Sequence, residues 1–361
     1  MSKEQQSGRR SEQAGMFHFM KEMGSALVMA LIAIVYVIQA FKIPTGSMEN
    51  SLLVGDFLLG LKFIYGAPFI PYSRELGINQ RLPAIQNPKP GDVVIFKYPG
   101  NDNKDYIKRC VAGPGSTVEL RDTELIVDGK VLQLPPKGKF LPTLRNPDTK
   151  FYKPLYIPKK GDTFKPSELE LREFLFLKHL VHQENPTKKV TVQYQLFLNG
   201  KFSNSVPFPN SNAGIPITMN ILHENNIVIG QTKGKKVFFN LNNIDNWTEL
   251  DKVLKYQIAI QFPDSNPTFK YALFLDGKPL DSYTVRYDNY FMMGDNRDNS
   301  LDSRYWGYLN YNYVKAKAFI LYFSLNETTP YYLLPMKIRW ERIGKLIRSW
   351  DGVNPVPGVK W

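Results

Sequence analysis

The sequence contains few of the residues that disulfide, zinc and histidine-based sites require. Its 361 residues include one cysteine, Cys110, and four histidines. One cysteine excludes a disulfide within the chain and a zinc site of four thiolates. The sequence also lacks a Gly-x-Ser-x-Gly elbow, a Ser-x-x-Lys motif, a His-Glu-x-x-His motif and a Walker loop. The enzyme classes that carry those signatures are disfavoured, and we expect no metal and no cofactor.

Two patterns resemble metal sites without completing them. His179 and His182 are three residues apart on a predicted helix, and such a pair alone is more often structural than metal-binding. The loop from Asp295 to Asn299 resembles a calcium loop. It lacks the glycine and the glutamate that such a loop needs at its sixth and twelfth positions. We interpret neither pattern as a metal site.

Negative charge is in the minority, with 33 Asp and Glu against 46 Lys and Arg, a net charge of +13. Residues 1–41 contain four basic and three acidic residues, which leaves 42 − 30, or +12, for the rest of the chain. No basic stripe with interleaved aromatic residues indicates a nucleic-acid partner. The composition therefore favours an anionic membrane surface as the partner of this basic protein.

Charge is absent from residues 24–41, which read GSALVMALIAIVYVIQAF. As a helix this run is about 27 Å long, enough to cross a bilayer core. A cleaved signal peptide has a shorter apolar region and ends in a small-x-small site, whereas this run ends in Ala40-Phe41-Lys42. The pattern predicts one uncleaved transmembrane anchor at 23–41. It also predicts a short cytoplasmic tail at 1–22, with the bulk of the chain on the other side.

Short β-like runs, cut by glycine and proline, dominate the chain after the anchor. The clearest of them are Asp56–Leu61, Asp92–Tyr98, Tyr106–Val111 and Thr117–Val127. Residues 131–165 are rich in proline and lysine and indicate a linker or a long loop, and residues 167–183 have helical spacing. Strand-like runs return at 188–285 and continue at 286–325. The class is therefore mainly β.

Two of the later strand-like stretches are similar, VTVQYQLFLNGK and YALFLDGKPL. They contain the turn pairs Asn199-Gly200 and Asp276-Gly277, which are typical of tight β-hairpins. We predict two hairpins, and a weak internal repeat is the alternative.

The first place with candidate chemistry is Ile43-Pro44-Thr45-Gly46-Ser47-Met48, directly after the anchor. Pro44 and Gly46 put Ser47 on a tight bend, where a hydroxyl can be presented to a substrate. An ordinary turn beside the membrane has the same composition. The spacing alone therefore does not assign a nucleophile.

The second place is the strand-like run from Asp105 to Gly113, which contains the adjacent cations Lys108 and Arg109. Strand alternation puts them on opposite faces, so one of them shares a face with apolar groups. A buried lysine that is neutral near pH 7 can serve as a general base, whereas an arginine stays protonated. The alternative is a solvated edge strand from which both cations reach water.

These two places belong to an ordered series of motifs along the chain. The series reads PTGSM (44–48), SLLVGDFLL (51–59), GDVVIFKYP (91–99), DYIKRCVAGPG (105–115) and MGDNRDNSLDSRYWG (293–307). In this order, and after a membrane span, the motifs resemble those of the type I signal peptidases, the membrane-bound leader peptidases of family S26 with a Ser/Lys dyad. The last motif is the most specific of the five.

The resemblance implies a role for each matching residue. Ser47 would be the nucleophile and Lys108 the general base, with Ser300 orienting the lysine amine. Thr45 and the backbone N–H of Ser47 would form the oxyanion hole. The structural polar residues around the site would be Asp295, Asp302 and Arg304. The substrate pocket would be lined by Ile43, Met48, Leu52, Tyr106 and Ile107.

The resemblance also implies a domain organisation. A mainly antiparallel β catalytic core of the signal peptidase type would follow one transmembrane helix and carry a long inserted second domain. The core would comprise residues 42–130 and 286–335, and the insert would comprise residues 131–285. Residues 336–361 would form a basic amphipathic tail, which their own sequence pattern predicts.

The function implied by the resemblance is removal of signal peptides from exported pre-proteins through an acyl-enzyme, with cleavage after small residues at −1 and −3. The partners would be signal peptides and the lipid bilayer, near the protein-export translocase. The place would be the bacterial cytoplasmic membrane, with the N-terminus inside and the catalytic domain on the outer face. The alternatives are a peptidase of the same fold with dedicated substrates and an inactive membrane-anchored binding protein. The last would lack Ser47, Lys108 or Ser300, and all three are present.

The end of the sequence carries its own pattern. Met336, Trp340, Ile343, Ile347 and Trp350 recur at spacings of four and three, which predicts a helix over 336–350 with one apolar face. Basic residues occupy much of the remainder. Such a helix suits a membrane interface, and packing of its apolar face on the β core is the alternative.

Overall fold

The computed structural model describes residues 3–70, 80–100, 104–135, 137–141, 151–203, 226–232, 235–240, 263–264 and 266–349. Among them antiparallel β-structure dominates, which confirms the predicted class. The chain begins with helix α1 (Lys3–Ile32), which continues as a π-helical turn (Ala33–Val37) and is followed at once by strand β1 (Ile38–Lys42).

The apolar helix differs from the predicted anchor at both ends. The part that is long and apolar enough to cross a membrane is His18–Val37, with a mean hydropathy of 1.7 and no buried residue. Residues 38–41, which the uncharged run assigned to the span, lie in β1, because their backbone pairs with β2 from Ile38↔Leu61 onwards. Apolar character alone did not distinguish the end of the helix from the first strand.

One seven-stranded antiparallel sheet contains strands from both parts of the predicted core. Its order is β1-β2-β19-β3-β4-β17-β18. After β1, its members are β2 (Asp56–Leu61), β3 (Val93–Lys97), β4 (Asp105–Ala112), β17 (Asn289–Met293), β18 (Leu309–Asn310) and β19 (Val314–Ser324). The sheet thus joins strands from the two sequence regions on either side of the insert.

Strand β3, in the interior of this sheet, is apolar on both faces because both of its faces are covered. In β3, Val93 and Ile95 pack in one apolar cluster with Leu58, whereas Val94 and Phe96 pack in another. Such a strand reads as a continuous apolar run and not as an alternating one. This packing fixes the position of the neighbouring strand β4, which carries Lys108.

A second antiparallel sheet has the order β7-β6-β5-β8. Its strands are β5 (Thr117–Arg121), β6 (Glu124–Val127), β7 (Lys130–Leu132) and β8 (Phe151–Tyr156). Strand β8 corrects the prediction that residues 131–165 are a linker or a long loop, since it pairs with β5. Strand β9 (Thr163–Phe164) follows and pairs with β16 (Tyr283–Thr284). Proline and lysine in this region obscured a strand that long-range pairing stabilises.

Both predicted hairpins are present, and they pair with each other. They follow helix α2 (Leu171–Glu184) and consist of β10 (Val190–Leu198) with β11 (Lys201–Ser203) and β14 (Pro267–Leu275) with β15 (Lys278–Pro279). Strand β10 pairs along its whole length with β14. Both turns have positive φ at both central residues, 48° and 78° at Asn199-Gly200 and 50° and 76° at Asp276-Gly277. That conformation explains the Asn-Gly and Asp-Gly pairs.

The remaining described elements are short. The hairpin β12 (Asn226–Thr232) and β13 (Lys235–Asn240) is paired antiparallel. The helical turns lie at Gly46–Met48, Phe63–Tyr65, Pro166–Glu168, Arg297–Asn299, Ser303–Trp306, Tyr311–Tyr313, Tyr331–Leu333, Leu334–Lys337 and Trp340–Arg342.

The prediction of a helix over residues 336–350 is wrong. The described part of this region has one helical turn ending at Lys337 and one 3-10 turn at Trp340–Arg342. Gly344 then takes a φ of 79°, and the chain continues as an extended segment. Its backbone pairs with β19, where Gly344 donates to the Leu321 carbonyl at 2.8 Å and Ile347 donates to the Phe319 carbonyl at 2.7 Å. Backbone pairing with β19 therefore determines the conformation of this segment, and the amphipathic spacing of its side chains does not. Trp350 lies outside the described residues.

Candidate active site

Ser47, the predicted nucleophile, lies in a 3-10 turn between β1 and β2. Thr45 is extended, and Gly46–Met48 then form the turn that carries Ser47. The backbone N–H of Asn296 donates to the Ser47 carbonyl at 3.0 Å, and the Asn296 side chain donates to the Gly46 carbonyl at 3.0 Å. Met48 is buried below the turn. The turn is thus fixed both by its own buried side chain and by the loop that follows β17.

Lys108 faces this turn from β4, between β3 and β17. Its side chain is 3% exposed, and its Nζ lies 2.6 Å from Ser47 Oγ. A second contact, of 3.2 Å, joins Nζ to the carbonyl of Ile107. Arg109 is buried as well, at 5% exposure. The alternative of a solvated edge strand is therefore wrong, because β4 is interior and both cations are buried.

Burial lowers the pKa of Lys108 from 10.5 to about 8, because a charged ammonium is poorly stabilised away from water. The carboxylates of Asp302 and Asp295 act in the opposite direction and moderate the effect. A sizeable fraction of the lysine is therefore neutral just above pH 7. A neutral amine can accept the proton of the Ser47 hydroxyl across the 2.6 Å contact.

Asp295 and Arg109 form a buried ion pair behind the lysine. Arg109 Nε donates to Asp295 Oδ1 at 2.8 Å, and its Nη2 donates to Oδ2 at 2.7 Å. The Ser51 hydroxyl also donates to Oδ2, at 2.6 Å. Burial alone would raise the pKa of Asp295, but Arg109 more than offsets this effect and holds the pKa below its ordinary value. The pair fixes the residue next to Lys108 in the strand.

Asp302 and Arg304 form a second buried pair. Arg304 Nε donates to Asp302 Oδ1 at 2.8 Å, and the other carboxylate oxygen accepts from the Gly294 backbone N–H at 3.0 Å. Burial acts to raise the pKa of Asp302, and Arg304 outweighs it, so the carboxyl stays ionised. Gly294 must be glycine, since a Cβ there would lie 2.6 Å from the Ser47 carbonyl oxygen and against Ser300 Oγ.

The hydrogen bond predicted between Ser300 and Lys108 is not made in this structure. Ser300 is buried at 7% exposure, and its Oγ makes no hydrogen bond of standard geometry among the described residues, although the hydroxyl is close enough to Asp302 to help lower the pKa of that carboxyl. The hydroxyl nevertheless lies beside Gly294, next to the nucleophile turn. An orienting role for Ser300 stays a prediction.

A cleft of about 580 Å³ opens over the Ser47–Lys108 contact. The predicted residues that line it are Ile43, Thr45, Ser47, Met48, Tyr106, Ile107 and Lys108. Leu52 is the exception: it is 1% exposed and packs beneath the cleft with Ile43 and Met48. The cleft also receives Asn299 and Leu301, from the loop that contains Ser300. The lining is largely apolar, and its polar members beyond Ser47 and Lys108 include Lys42, Lys104 and Asp105.

Sequence reasoning missed two residues that fix the site. Asn296 holds the nucleophile turn through its backbone and its side chain, and Ser51 joins that segment to Asp295. Both residues lie inside the sequence motifs that resemble the family. Their membership of those motifs was the only feature of the sequence that could have identified them. Their roles depend on contacts between segments more than 240 positions apart in the chain.

Comparison with known proteins identifies the family of this fold and site. The family described as signal peptidase, peptidase S26, matches residues 16–205 and 229–323. The chain therefore belongs to the S26 signal peptidase family, which is a family of peptidases. The apolar helix His18–Val37 is consistent with the membrane anchoring typical of that family.

The similar relatives are bacterial proteins named signal peptidase I. The protein from Buchnera aphidicola subsp. Acyrthosiphon pisum is 25% identical over 332 residues, which are 91% of this chain and 82% of the relative. The protein from Aquifex aeolicus is 27% identical over 300 residues, 80% of this chain and 77% of the relative. The protein from Pseudomonas aeruginosa is 36% identical over 113 residues, 31% of this chain and 38% of the relative.

Proposed function

We propose that this protein is a membrane-bound serine endopeptidase that removes signal peptides from exported pre-proteins, with Ser47 as the nucleophile and Lys108 as the general base. The observation that carries the proposal is the 2.6 Å contact between Ser47 Oγ and the Nζ of a buried lysine. A nucleophile next to a base of lowered pKa is the minimal unit of acyl-enzyme catalysis.

The proposed reaction begins when neutral Lys108 accepts the Ser47 proton while Oγ attacks the scissile carbonyl. The tetrahedral intermediate collapses as the lysine ammonium gives its proton to the leaving amine, which releases the mature chain and leaves an acyl-enzyme on Ser47. Lys108 then accepts a proton from the water molecule that attacks the ester carbonyl, and it gives this proton to Ser47 Oγ as the second tetrahedral intermediate collapses, which frees the signal peptide. The base starts and ends neutral, so no other proton carrier is required.

The oxyanion of the intermediate would be stabilised by the backbone N–H of Ser47 and the Thr45 hydroxyl. The first N–H groups of a helical turn have no partner within it, so the Ser47 N–H is available in the Gly46–Met48 turn. Thr45 is exposed at the head of that turn and lines the same cleft. Donors of this kind act where charge develops in the transition state.

The substrate would bind as an extended chain with small side chains at −1 and −3. The apolar lining from Ile43, Met48, Tyr106 and Ile107 supports this specificity, because such a surface favours apolar side chains. An apolar pocket discriminates by only about 1–3 kcal/mol per methylene, so backbone pairing with the extended substrate would supply the rest.

The proposed place is the cytoplasmic membrane of a bacterium, with the N-terminus inside and the catalytic domain on the outer face. Helix His18–Val37 is about 30 Å long, which matches a bilayer core. Strand β1 follows directly, and Ser47 is ten residues beyond Val37, so the site would lie close to the membrane surface. Signal peptides, the bilayer and the neighbourhood of the translocase are the proposed partners.

Cleavage of a purified pre-protein with Ala at −1 and −3 tests the proposal. The full-length protein in detergent should release the mature chain, with its new N-terminus confirmed by mass spectrometry. A substrate with Leu at −1 should be cut far more slowly. Cleavage that persists in a Ser47→Ala variant would reject the proposed nucleophile.

A further inference from the structure

The segment that follows β19 has no role in the dyad, yet it contacts the chain that carries the nucleophile. We call residues 338–349 the C-terminal segment. The family match ends at residue 323, before this segment begins. Its backbone pairs with β19 through the bridges Ile338↔Leu325 and Leu346↔Ile320. Its Ser349 hydroxyl donates to Asp92 Oδ1 at 2.6 Å, so the segment is fixed both to β19 and to the residue that precedes β3.

Arg342 is the member of this segment that reaches into the core. Its side chain is 8% exposed and contacts Asp56, which is fully buried at the start of β2. The guanidinium donates to both carboxylate oxygens, from Nε at 2.9 Å and from Nη2 at 2.5 Å. Nη2 also donates to the Ser51 carbonyl at 3.2 Å. One planar group thus holds two points of the chain that follows Ser47.

The chain between Ser47 and Asp56 is short and fixed at several points. Asp56 Oδ2 accepts from the Leu53 N–H at 2.8 Å, and the Asp56 carbonyl accepts from the Ile43 N–H at 2.8 Å. The loop therefore leaves the sheet after β1 and rejoins it at β2, and both of its ends lie close to the Arg342 guanidinium. A displacement of Asp56 would be transmitted to both sides of the nucleophile turn.

Ser51 extends this connection towards the general base. Its carbonyl accepts from Arg342, and its hydroxyl donates to Asp295 at 2.6 Å. Asp295 is the bidentate partner of Arg109, the neighbour of Lys108 in β4. A continuous chain of buried and partly buried polar contacts therefore runs from the C-terminal segment to the strand that carries Lys108.

We propose that Arg342 is a positioning residue for the Ser47 nucleophile, and that the C-terminal segment holds the nucleophile loop in register with Lys108. The inference rests on the proposed function, since it assigns Arg342 a role in that reaction. The arginine acts through Asp56 and Ser51 and does not contact the reacting atoms.

The chemistry of the contact requires arginine in particular. A guanidinium is a rigid fork that can bond two carboxylate oxygens and a third acceptor together, whereas an ammonium is a point charge on a flexible stem. Arg339 also approaches Asp56, at 3.5 Å, but makes its short hydrogen bonds to the carbonyls of Val54 and Leu325. A lysine in place of Arg342 would keep the charge and lose the geometry.

The test measures kcat and KM for full-length Arg342→Gln and Arg342→Lys, with Arg348→Gln as the matched control because Arg348 is exposed on the same segment. Rates are taken at a temperature at which circular dichroism shows each variant to be folded, and are expressed per folded molecule. Misplacement of a catalytic group by about 1 Å can lower a rate on the order of 10²-fold. We expect kcat to fall about 10- to 100-fold in Arg342→Gln, with KM within about twofold of wild type. The Lys variant should be intermediate and Arg348→Gln should match wild type.

A merely structural role would give a different result. In that case the melting temperature would fall while kcat per folded molecule stayed at the wild-type value, and this result would overturn the proposal. If Arg342→Gln does not fold, the Lys variant decides in the same way. Failure of the proposed function is separable, because Ser47→Ala would then leave wild-type cleavage unchanged in the same assay.

Discussion

Two lysines, the buried Lys108 of the core sheet and the half-buried Lys178 of helix α2, have similarly lowered pKa values in very different surroundings. Burial lowers the pKa of Lys108 on β4 and of Lys178 on α2 to about 8 in both cases. Lys108 has Ser47 Oγ at 2.6 Å and two carboxylates that influence its titration. Lys178 makes no hydrogen bond within the described part of the chain, and burial is the one cause of its shift.

The comparison teaches that a lowered pKa makes a lysine available as a base but does not make it catalytic. Burial in a purely structural position can shift a pKa as far as catalysis requires. A shifted pKa alone is therefore weak evidence for a catalytic role. The distinguishing feature is geometric: a nucleophile within hydrogen-bond distance and a cleft above the pair. The predictions below test that distinction.

The largest expected effect separates the two lysines by activity. Lys108→Ala should lower kcat on the order of 10⁴-fold or more, because a member of one catalytic unit is lost. Lys108→Arg should be equally inactive, since arginine does not give up its proton. Lys178→Ala, the matched control, should retain wild-type turnover. A Lys108→Ala enzyme with near wild-type turnover in the pre-protein assay would contradict the assignment.

The next effect concerns the oxyanion hole proposed beside Lys108, which has no proposed counterpart beside Lys178. Thr45→Ala should lower kcat by roughly 10²–10³-fold with little change in KM, the loss typical of one donor. Thr45→Ser should keep most of the activity because the hydroxyl remains. Steady-state kinetics on the same pre-protein measure both. If Thr45→Ala is silent, another group donates to the oxyanion.

A smaller effect appears in stability. The folded pKa of Lys108 is about 8 and its ordinary value is 10.5, so the unfolded state binds more protons between these values and stability rises with pH across that range. Below pH 8 the full penalty, about 3 kcal/mol, is present. Lys108→Met should therefore raise the free energy of unfolding at pH 7, and the gain should shrink as the pH approaches 10.5. Urea titrations at pH 7 and pH 10 measure the difference, and equal stabilities at pH 7 would contradict the burial penalty.

The smallest effect is expected at Lys178. Lys178→Met should also raise the free energy of unfolding at pH 7, by less than Lys108→Met because Lys178 is more exposed. Its turnover of the pre-protein should not change. A loss of activity without a loss of stability would mean that helix α2 contributes to the site.

The sequence predicted much of this fold because local pattern and tertiary context agree there. The run Asp56–Leu61 is a strand with those bounds, and the Asn-Gly and Asp-Gly turns are hairpins as expected. The prediction failed where pairing decided the outcome. The residues after Met336 have helical spacing, but they form an extended segment because their backbone pairs with β19.

The site was predictable to a different degree. The sequence pattern identified Ser47 and Lys108 as candidates. Their roles were then predicted from the resemblance of the ordered motifs to the type I signal peptidases. The contacts made by Asn296 and Arg342 could not be predicted, because each joins segments distant in sequence and neither residue type signals its partner. The Ser300–Lys108 hydrogen bond, expected from resemblance, is not made among the described contacts.

The central claim is that Lys108 is the neutral base for Ser47, and the pH dependence of kcat/KM tests it most directly. The claim predicts that activity falls on the acid side with a midpoint near 8, as the Lys108 amine becomes protonated. The midpoint should be absent from the residual rate of Lys108→Ala and unchanged in Lys178→Ala. A midpoint near 10.5, the ordinary value for lysine, would show a solvated Lys108 and contradict the account.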